Sequence, residues 1–243
     1  MTILPAGRRR WIVLAGALAA LAAAVSIVGV YSFRNYEPDP SKYPVRGVDV
    51  SHHQGPVDWP RVARHDVAFA YLKASEGRDH RDDLFDRNWR GARAAGLKVG
   101  AYHYFTFCSS GRAQAANFLS AVPYETNALP VAVDLEFGGN CGSRPTGPAM
   151  ARELAVFLSM VEAREGRPAI LYVTPEFLAA YREWLPQRSL WRRSILHAPA
   201  RGEPWVLWQF HNRGRIDGVT GPVDISVFAG DARAFRRFAA AAR

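Results

Sequence analysis

Apolar and polar residues alternate along this chain in two different regimes. From Trp11 to Phe33 there are 23 consecutive residues without a charge, WIVLAGALAALAAAVSIVGVYSF, and about 20 apolar residues let a helix cross a hydrocarbon core of roughly 30 Å. The pattern predicts a membrane-spanning helix over 11–33. From residue 46 onward, short apolar runs bounded by turn signals alternate with amphipathic stretches. They predict eight strands, at 46–51, 67–73, 97–105, 130–137, 168–174, 190–196, 205–210 and 223–227. Helices are expected after the first five strands, at 58–64, 84–95, 112–122, 148–164 and 175–184, and a sixth closes the chain at 231–242. Strand–helix alternation favours parallel strands with right-handed crossovers, and eight strands in one domain suggest a barrel. The last three strands are joined by connections too short for full helices. The expected fold is α/β: an incomplete TIM-like barrel of five strand–helix units followed by three strands, preceded by one transmembrane helix.

Charge orients the first segment. Arg8, Arg9 and Arg10 precede the apolar run, whereas Arg34, Glu37 and Asp39 follow it, so the positive-inside bias places a basic tail, residues 1–10, in the cytoplasm and the remainder outside. A signal peptide's apolar region normally runs about 7–15 residues. The longer run here favours an uncleaved anchor over a cleaved signal. Residues 34–43 are polar with two prolines and suit a short stiff linker, which extends to residue 45 and leaves 46–243 as the globular domain.

Composition fits such a domain, with 49% hydrophobic and 22% charged residues. The net charge of +9 invites a nucleic-acid reading, but the arginines are scattered. The chain shows no basic run interleaved with aromatics, no zinc-finger spacing and no basic helix feeding heptads. Diffuse positive charge suits attraction to anionic surfaces instead, and nucleic acid is not an expected partner. Cys108 and Cys141 are a small even number in a chain read as exported, where disulfides persist. They fall in the loops after the third and fourth strands, neighbours on one rim of the barrel, and a single bridge between them is expected. Two unrelated buried thiols are the alternative.

In a barrel of this kind, chemistry gathers at the carboxyl ends of strands, on inward positions. In Val131-Ala132-Val133-Asp134-Leu135-Glu136 the two-residue period sends Val131, Val133 and Leu135 outward and Ala132, Asp134 and Glu136 inward. Two carboxylates then share one face, about 6.5 to 7 Å apart by Cα. Burying both is costly without a use. Asp49, in Val48-Asp49-Val50, and Asp224, in Val223-Asp224-Ile225, point inward by the same argument. Paired carboxylates, one kept protonated and one ionised, are the apparatus of glycosidic bond cleavage. Aromatic side chains stack on sugar rings, and Tyr102, Tyr104, Tyr172 and Trp208 are candidates for that wall, with Gln209 to orient a hydroxyl or amide.

The segments Gly47-Val48-Asp49-Val50-Ser51-His52-His53-Gln54-Gly55, Asp58-Trp59, Lys73-Ala74-Ser75-Glu76-Gly77, Gly100-Ala101-Tyr102-His103, Val133-Asp134-Leu135-Glu136 and Trp208-Gln209 with Val223-Asp224 closely resemble glycoside hydrolase family 25, the Chalaropsis-type lysozymes. The resemblance runs from about residue 46 to 230. It implies hydrolysis of the β-1,4 bond between N-acetylmuramic acid and N-acetylglucosamine in peptidoglycan, with retention. By position it implies Glu136 as general acid, Asp134 as nucleophile or as the group that orients the substrate's acetamido oxygen, and Asp49 and Asp224 as groups that hold the sugar and tune the pair. No metal or cofactor is called for, and a monomer is expected. The chain departs from the family pattern at Ser75, Leu171–Thr174 (LYVT), Ile225-Ser226 and His197-Ala198-Pro199, which bears on subsite contacts. Two rivals stand beside this reading. One is a non-catalytic peptidoglycan-binding module. The other is a metal-dependent polysaccharide deacetylase built from His52, His53, His103, Asp134 and Glu136. Adjacent histidines in a strand would face opposite ways and argue against that ligand set.

Overall fold

The computed structural model describes residues 6–200 and 202–240, in two units divided between Tyr36 and Glu37. Residues 1–5 of the expected basic tail and 241–242 of the expected last helix lie outside the described residues. In the first unit, α1 (Ala6–Arg34) is one helix of 29 residues. Its segment Leu14–Arg34 has a mean hydropathy of 2.1 and is long and apolar enough to cross a membrane, with Leu18, Leu21 and Ile27 exposed. Length and composition suit an export signal and an anchor alike.

The second unit opens with β1 (Arg46–Val50), a single 3-10 turn (His52–Gln54), α2 (Trp59–Ala63), β2 (Val67–Glu76), β3 (His80–Arg81) and α3 (Phe85–Ala94). There follow β4 (Lys98–Tyr104), α4 (Gly111–Ala121), β5 (Ala132–Leu135), α5 (Gly147–Glu165), β6 (Ile170–Val173) and α6 (Pro175–Tyr181). The last elements are β7 (Leu190–Arg193), β8 (Trp205–Gly214), β9 (Val223–Phe228) and α7 (Ala232–Ala239). Helix starts follow local chemistry: the side chains of Asp58, Ser110, Thr174 and Asp231 each accept a backbone N–H at the first turn of α2, α4, α6 and α7.

Pairing runs β1–β2–β4–β5–β6–β7–β8 in parallel, and β9 lies antiparallel between β8 and β1. The eight strands thus form a closed, barrel-like sheet, with β3 added to the far end of β2 opposite Ser75 and Glu76. The eight expected strands are all present; β3, two residues long, shows no period from which it could be read. Antiparallel β9 departs from the all-parallel expectation, for a plain reason. A parallel return needs a crossover of about a dozen residues or more, and the segment 215–222 between β8 and β9 is shorter. The chain folds back as a hairpin instead.

Large and small side chains alternate inside the ring. Gly47 and Gly100 leave the room that Phe69 and Tyr71 fill, and a Cβ at Gly47 would lie 2.2 Å from the Phe69 ring. Ala132, Ile170, Leu207 and Phe228 pack with these rings. Phe235 of α7 stacks on Phe69 at 5.5 Å between centroids. Phe69 lies near the start of β2 and Phe228 at the end of antiparallel β9, so α7 closes the amino-terminal end of the parallel strands. Only the carboxyl-terminal end is left for a cleft. Residues 37–45, expected as a linker, pack on this unit: Val45 is buried in the core, Tyr43 meets Trp208 edge-on at 5.5 Å, and Glu37 pairs with Arg46 at 2.8 Å.

Candidate active site

The open end holds a cavity of about 330 Å³ whose lining includes Asp49, Asp134, Glu136 and Asp224 together with Lys73 and Glu76. β5 presents Asp134 and Glu136 on the face that carries Ala132 into the barrel core, while Val133 and Leu135 are fully buried. Asp49 comes from β1, directly opposite Asp224 across the antiparallel β1–β9 pair. That pairing corrects the rule used to find Asp224. It sits at the amino end of its strand, and reaches the cleft because β9 runs against its neighbours.

Asp49 and Asp224 face one another across the β1–β9 pair and their carboxyls act on each other. Burial and then the neighbouring Asp224 carboxyl push Asp49 well above its ordinary range. Burial pushes Asp224 to about 7. Gln209 Nε2 donates to Asp49 Oδ2 at 3.3 Å, and Tyr172 donates its hydroxyl to Gln209 Oε1 at 2.9 Å. Asp134 is raised first by burial and next by Glu136, and its Oδ1 is buried without a hydrogen-bond partner. Glu136 is also raised by burial, against the opposing pull of Arg193, whose Nη1 lies 3.6 Å from Glu136 Oε2. These are coupled carboxyls, and the proton held among them belongs to the group as a whole. Lys73, itself buried, is matched by Glu76 at 2.6 Å and lies over the Tyr104 ring at 5.1 Å.

Tyr102, Tyr104 and Tyr172 line the cavity. Trp208 does not. On β8, Leu207 packs in the barrel core and Gln209 reaches Asp49, so the residue between them faces outward. There Trp208 is 1% exposed, donates Nε1 to the Ser194 carbonyl and packs on Tyr43. Gln209 is buried beneath the cavity, and its partners are Tyr172 and Asp49 in place of the expected substrate group. His52 and His53 occupy the 3-10 turn, not a strand, with ring centroids 4.0 Å apart. His52 is held by Asp82 through its backbone N–H and its ring Nδ1 at 2.7 and 2.9 Å. His103 has its ring nitrogens against Ser75 and Gln114 and stacks on Phe157. Among the described residues no three His, Cys, Asp or Glu are arranged to hold a metal ion, so the ligand set that a deacetylase reading needs is not assembled.

Beyond β4 and β5, Cys108 and Cys141 are joined in a disulfide with Cα atoms 6.3 Å apart. Beside it Asn140 does a job that sequence reasoning missed. Its Nδ2 donates to the carbonyls of Phe105 and Glu136 at 2.9 and 3.0 Å, and its Oδ1 accepts the N–H groups of Phe107 and Cys141. The loop beyond Glu136 is thereby tied to the loop beyond β4. Arg193 was also missed. Its signal was present: it lies two residues after inward-facing Trp191 at the end of a strand, a charge in an inward position.

The family model for glycosyl hydrolases family 25 matches residues 48–219. The chain is 34% identical over 206 residues to Lysozyme M1 of Streptomyces globisporus, covering 77% of this chain and 69% of that protein. It is 34% identical over 236 residues to the uncharacterized protein YegX of Escherichia coli K12, covering 88% and 83%. The solved family 25 glycosyl hydrolase of Bacillus anthracis matches with a TM-score of 0.77 at 34% identity, over 83% of this chain and 95% of that one. A barrel-like sheet with four inward acids at its open end, matched in sequence over most of its length and in fold by these proteins, places the chain in glycosyl hydrolases family 25, as a glycoside hydrolase.

Proposed function

We propose that this protein is a peptidoglycan muramidase that cleaves the β-1,4 bond between N-acetylmuramic acid and N-acetylglucosamine with retention, Glu136 serving as general acid. The observation that carries the reading is the pair Asp134 and Glu136, on successive inward positions at the end of β5, both lining one cavity and both raised by burial. Burial makes Glu136 hold its proton to higher pH than a free carboxyl does, and it can deliver that proton to the glycosidic oxygen as the C1–O bond breaks. On the opposite face of the sugar, C1 is met by Asp134 or by the substrate's own acetamido oxygen oriented by Asp134. The unpartnered Asp134 Oδ1 favours the second role, because an oxygen lacking a donor in the free protein is completed by the acetamido N–H. Water then attacks C1 while Glu136 takes its proton back, and two inversions at C1 give net retention.

Asp49 and Asp224, the former braced through Gln209, hold the sugar beneath the scissile bond. Tyr102, Tyr104 and Tyr172 supply the wall against which its ring lies. Residues 11–33 anchor the chain with Arg8, Arg9 and Arg10 on the cytoplasmic side, which puts residues 46–243 in contact with the wall. The test is digestion of purified peptidoglycan followed by mass analysis of the released ends. New reducing ends of N-acetylmuramic acid, formed first as the β anomer, support the proposal. Reducing-end N-acetylglucosamine or anhydro-muramic ends refute it, acetate release without chain shortening points to a deacetylase, and binding without cleavage points to a wall-binding module.

A further inference from the structure

β7 sends Trp191 into the barrel, and two residues on, at the strand's end, Arg193 lies beside Glu136. Trp191 donates Nε1 to Ser226 Oγ at 3.0 Å and lines the cavity, so the strand's phase is fixed. The Arg193 side chain is 32% exposed. Its 3.6 Å approach to Glu136 is an ion pair, yet too long for a hydrogen bond. Elsewhere in this molecule a structural arginine is held differently. Arg188 grips Glu162 with two bonds of 2.8 Å each, the bidentate fork that consumes a guanidinium's donors. Arg193 makes no such fork: besides the Glu136 ion pair its side chain meets the Tyr172 hydroxyl, a single acceptor for a group with five N–H donors. The cavity lined by its partner Glu136 is acidic, with Asp49, Glu76, Asp134 and Asp224 beside it, and Lys73 within it is already matched by Glu76 at 2.6 Å. A glycan bearing a carboxylate would meet mostly like charge there, and Arg193 offers the compensating cation.

We propose that Arg193 is a specificity-determining residue that receives a carboxylate of the muramoyl substituent on the sugar bound at Glu136. The inference rests on the reading of Glu136 as general acid and deepens it. A planar fork with donors to spare suits a planar carboxylate. The carboxylate has two possible sources on one substrate, the lactyl group of a peptide-free glycan or the acids of an attached stem peptide. Recognition is coupled to chemistry. In the free protein Arg193 draws Glu136 toward its ionised form; a bound carboxylate shares that guanidinium, adds negative charge beside Glu136, and so favours the protonated form the first step needs. The groups that face Glu136 are Arg193 from β7, Asp134 from β5, Lys73 from β2 and Glu176 from the first turn of α6, with the Tyr104 and Tyr172 rings between. Arg193 is the cation among them that is ion-paired with Glu136 and also partly exposed.

The experiment compares the full-length protein with its Arg193→Gln and Arg193→Lys variants on three substrates: peptide-free glycan strands, the same strands with their carboxyls converted to amides, and strands bearing stem peptides. Wild type is expected to show a KM about tenfold lower on the charged peptide-free strands than on the amidated ones, the size of one charge-assisted hydrogen bond. Arg193→Gln should erase that difference by raising only the charged-substrate KM, and Arg193→Lys should restore part of it. The alkaline limb of kcat/KM should move to higher pH in Arg193→Gln, because an acid freed from a neighbouring cation holds its proton longer. Discrimination confined to peptide-bearing strands assigns the stem carboxylates as the source. An equal loss on all three substrates, or no loss on any of them, overturns the proposal. Binding of the same strands, followed by tryptophan fluorescence, separates the two readings. Wild type that binds charged strands about tenfold more tightly without cleaving them sinks the muramidase reading while the Arg193 site stands. Cleavage without discrimination sinks the Arg193 site alone.

Discussion

Replacing Asp224 by Asn should make this protein more stable, by an amount that grows as the pH rises from about 4 and is complete above about 7. Burial raises Asp224 from an ordinary value of 3.8 to about 7. A carboxyl raised by folding contributes stability that is fully present below 3.8 and is lost as pH climbs through about 7, because the folded state there must release a proton it holds more tightly than the unfolded chain does. At about 1.4 kcal/mol per pH unit, the rise corresponds to an upper bound of about 4 kcal/mol withheld at pH 8. Asp224 keeps one side open to the cleft, and water there relieves part of that, leaving about 2 kcal/mol. The substituted amide carries no charge at any pH and still offers an N–H to Asp49, so the variant escapes the penalty. For a domain of roughly 200 residues, 2 kcal/mol shifts the midpoint by about 4–8 °C. Thermal unfolding followed by tryptophan fluorescence should therefore show the variant melting about 4–8 °C above wild type at pH 8 and within about 1 °C of it at pH 4. A variant that is destabilised equally at both pH values would refute the argument, since the carboxyl would then be holding structure and not straining it.

Glu136→Gln should lower turnover on peptidoglycan by about 10²- to 10⁴-fold with an unchanged melting temperature, and Asp134→Asn should be comparably damaging; activity within about threefold of wild type in either variant would remove that residue from its role. Removing the disulfide with Cys108→Ser and Cys141→Ser opens a loop of 33 residues' separation and should cost about 3 to 4 kcal/mol, seen as a drop of roughly 10 °C on calorimetry. Activity at 25 °C should fall far less in that variant, since Asn140 still ties the two loops. Gly47→Ala drives a methyl group into the Phe69 ring, and soluble yield and cooperative melting should both collapse, because overpacking of a filled interior has no outlet.

Much of this architecture could be read before it was seen, and the reasons are specific. The strand carrying Asp134 and Glu136 is legible because Val131, Val133 and Leu135 alternate with it and one face must be buried. The helices at 58–64, 175–184 and 231–242 were legible as amphipathic stretches between strands, and the structure adds that Asp58, Thr174 and Asp231 cap them. The direction of β9 was not legible from its own residues, since Val223 to Phe228 read the same in either direction; only the short connection before it decides. Trp208 was misplaced because type outweighed phase. A tryptophan beside a glutamine looks like a sugar platform, but with Leu207 and Gln209 inward the period leaves Trp208 no route to the cleft. Tyr43 and Val45 looked like linker because their partners, Trp205, Trp208 and Phe228, lie far along the chain. Arg193 and Asn140 escaped for the opposite reason to Trp208: their positions were informative and their residue types were not.

Closing the ring with an antiparallel last strand also governs when the site can exist. Asp49 and Gln209, which touch, are 160 residues apart, and Asp224 arrives later still. A nascent chain that has emerged only as far as β8 already carries Asp134 and Glu136, yet it lacks Asp224, the strand that seals β1 against β8, and the α7 side chains that close the floor. Contacts of such long range form late. The cleft is therefore a property of the finished polypeptide, complete only once residues 223–228 have closed the ring.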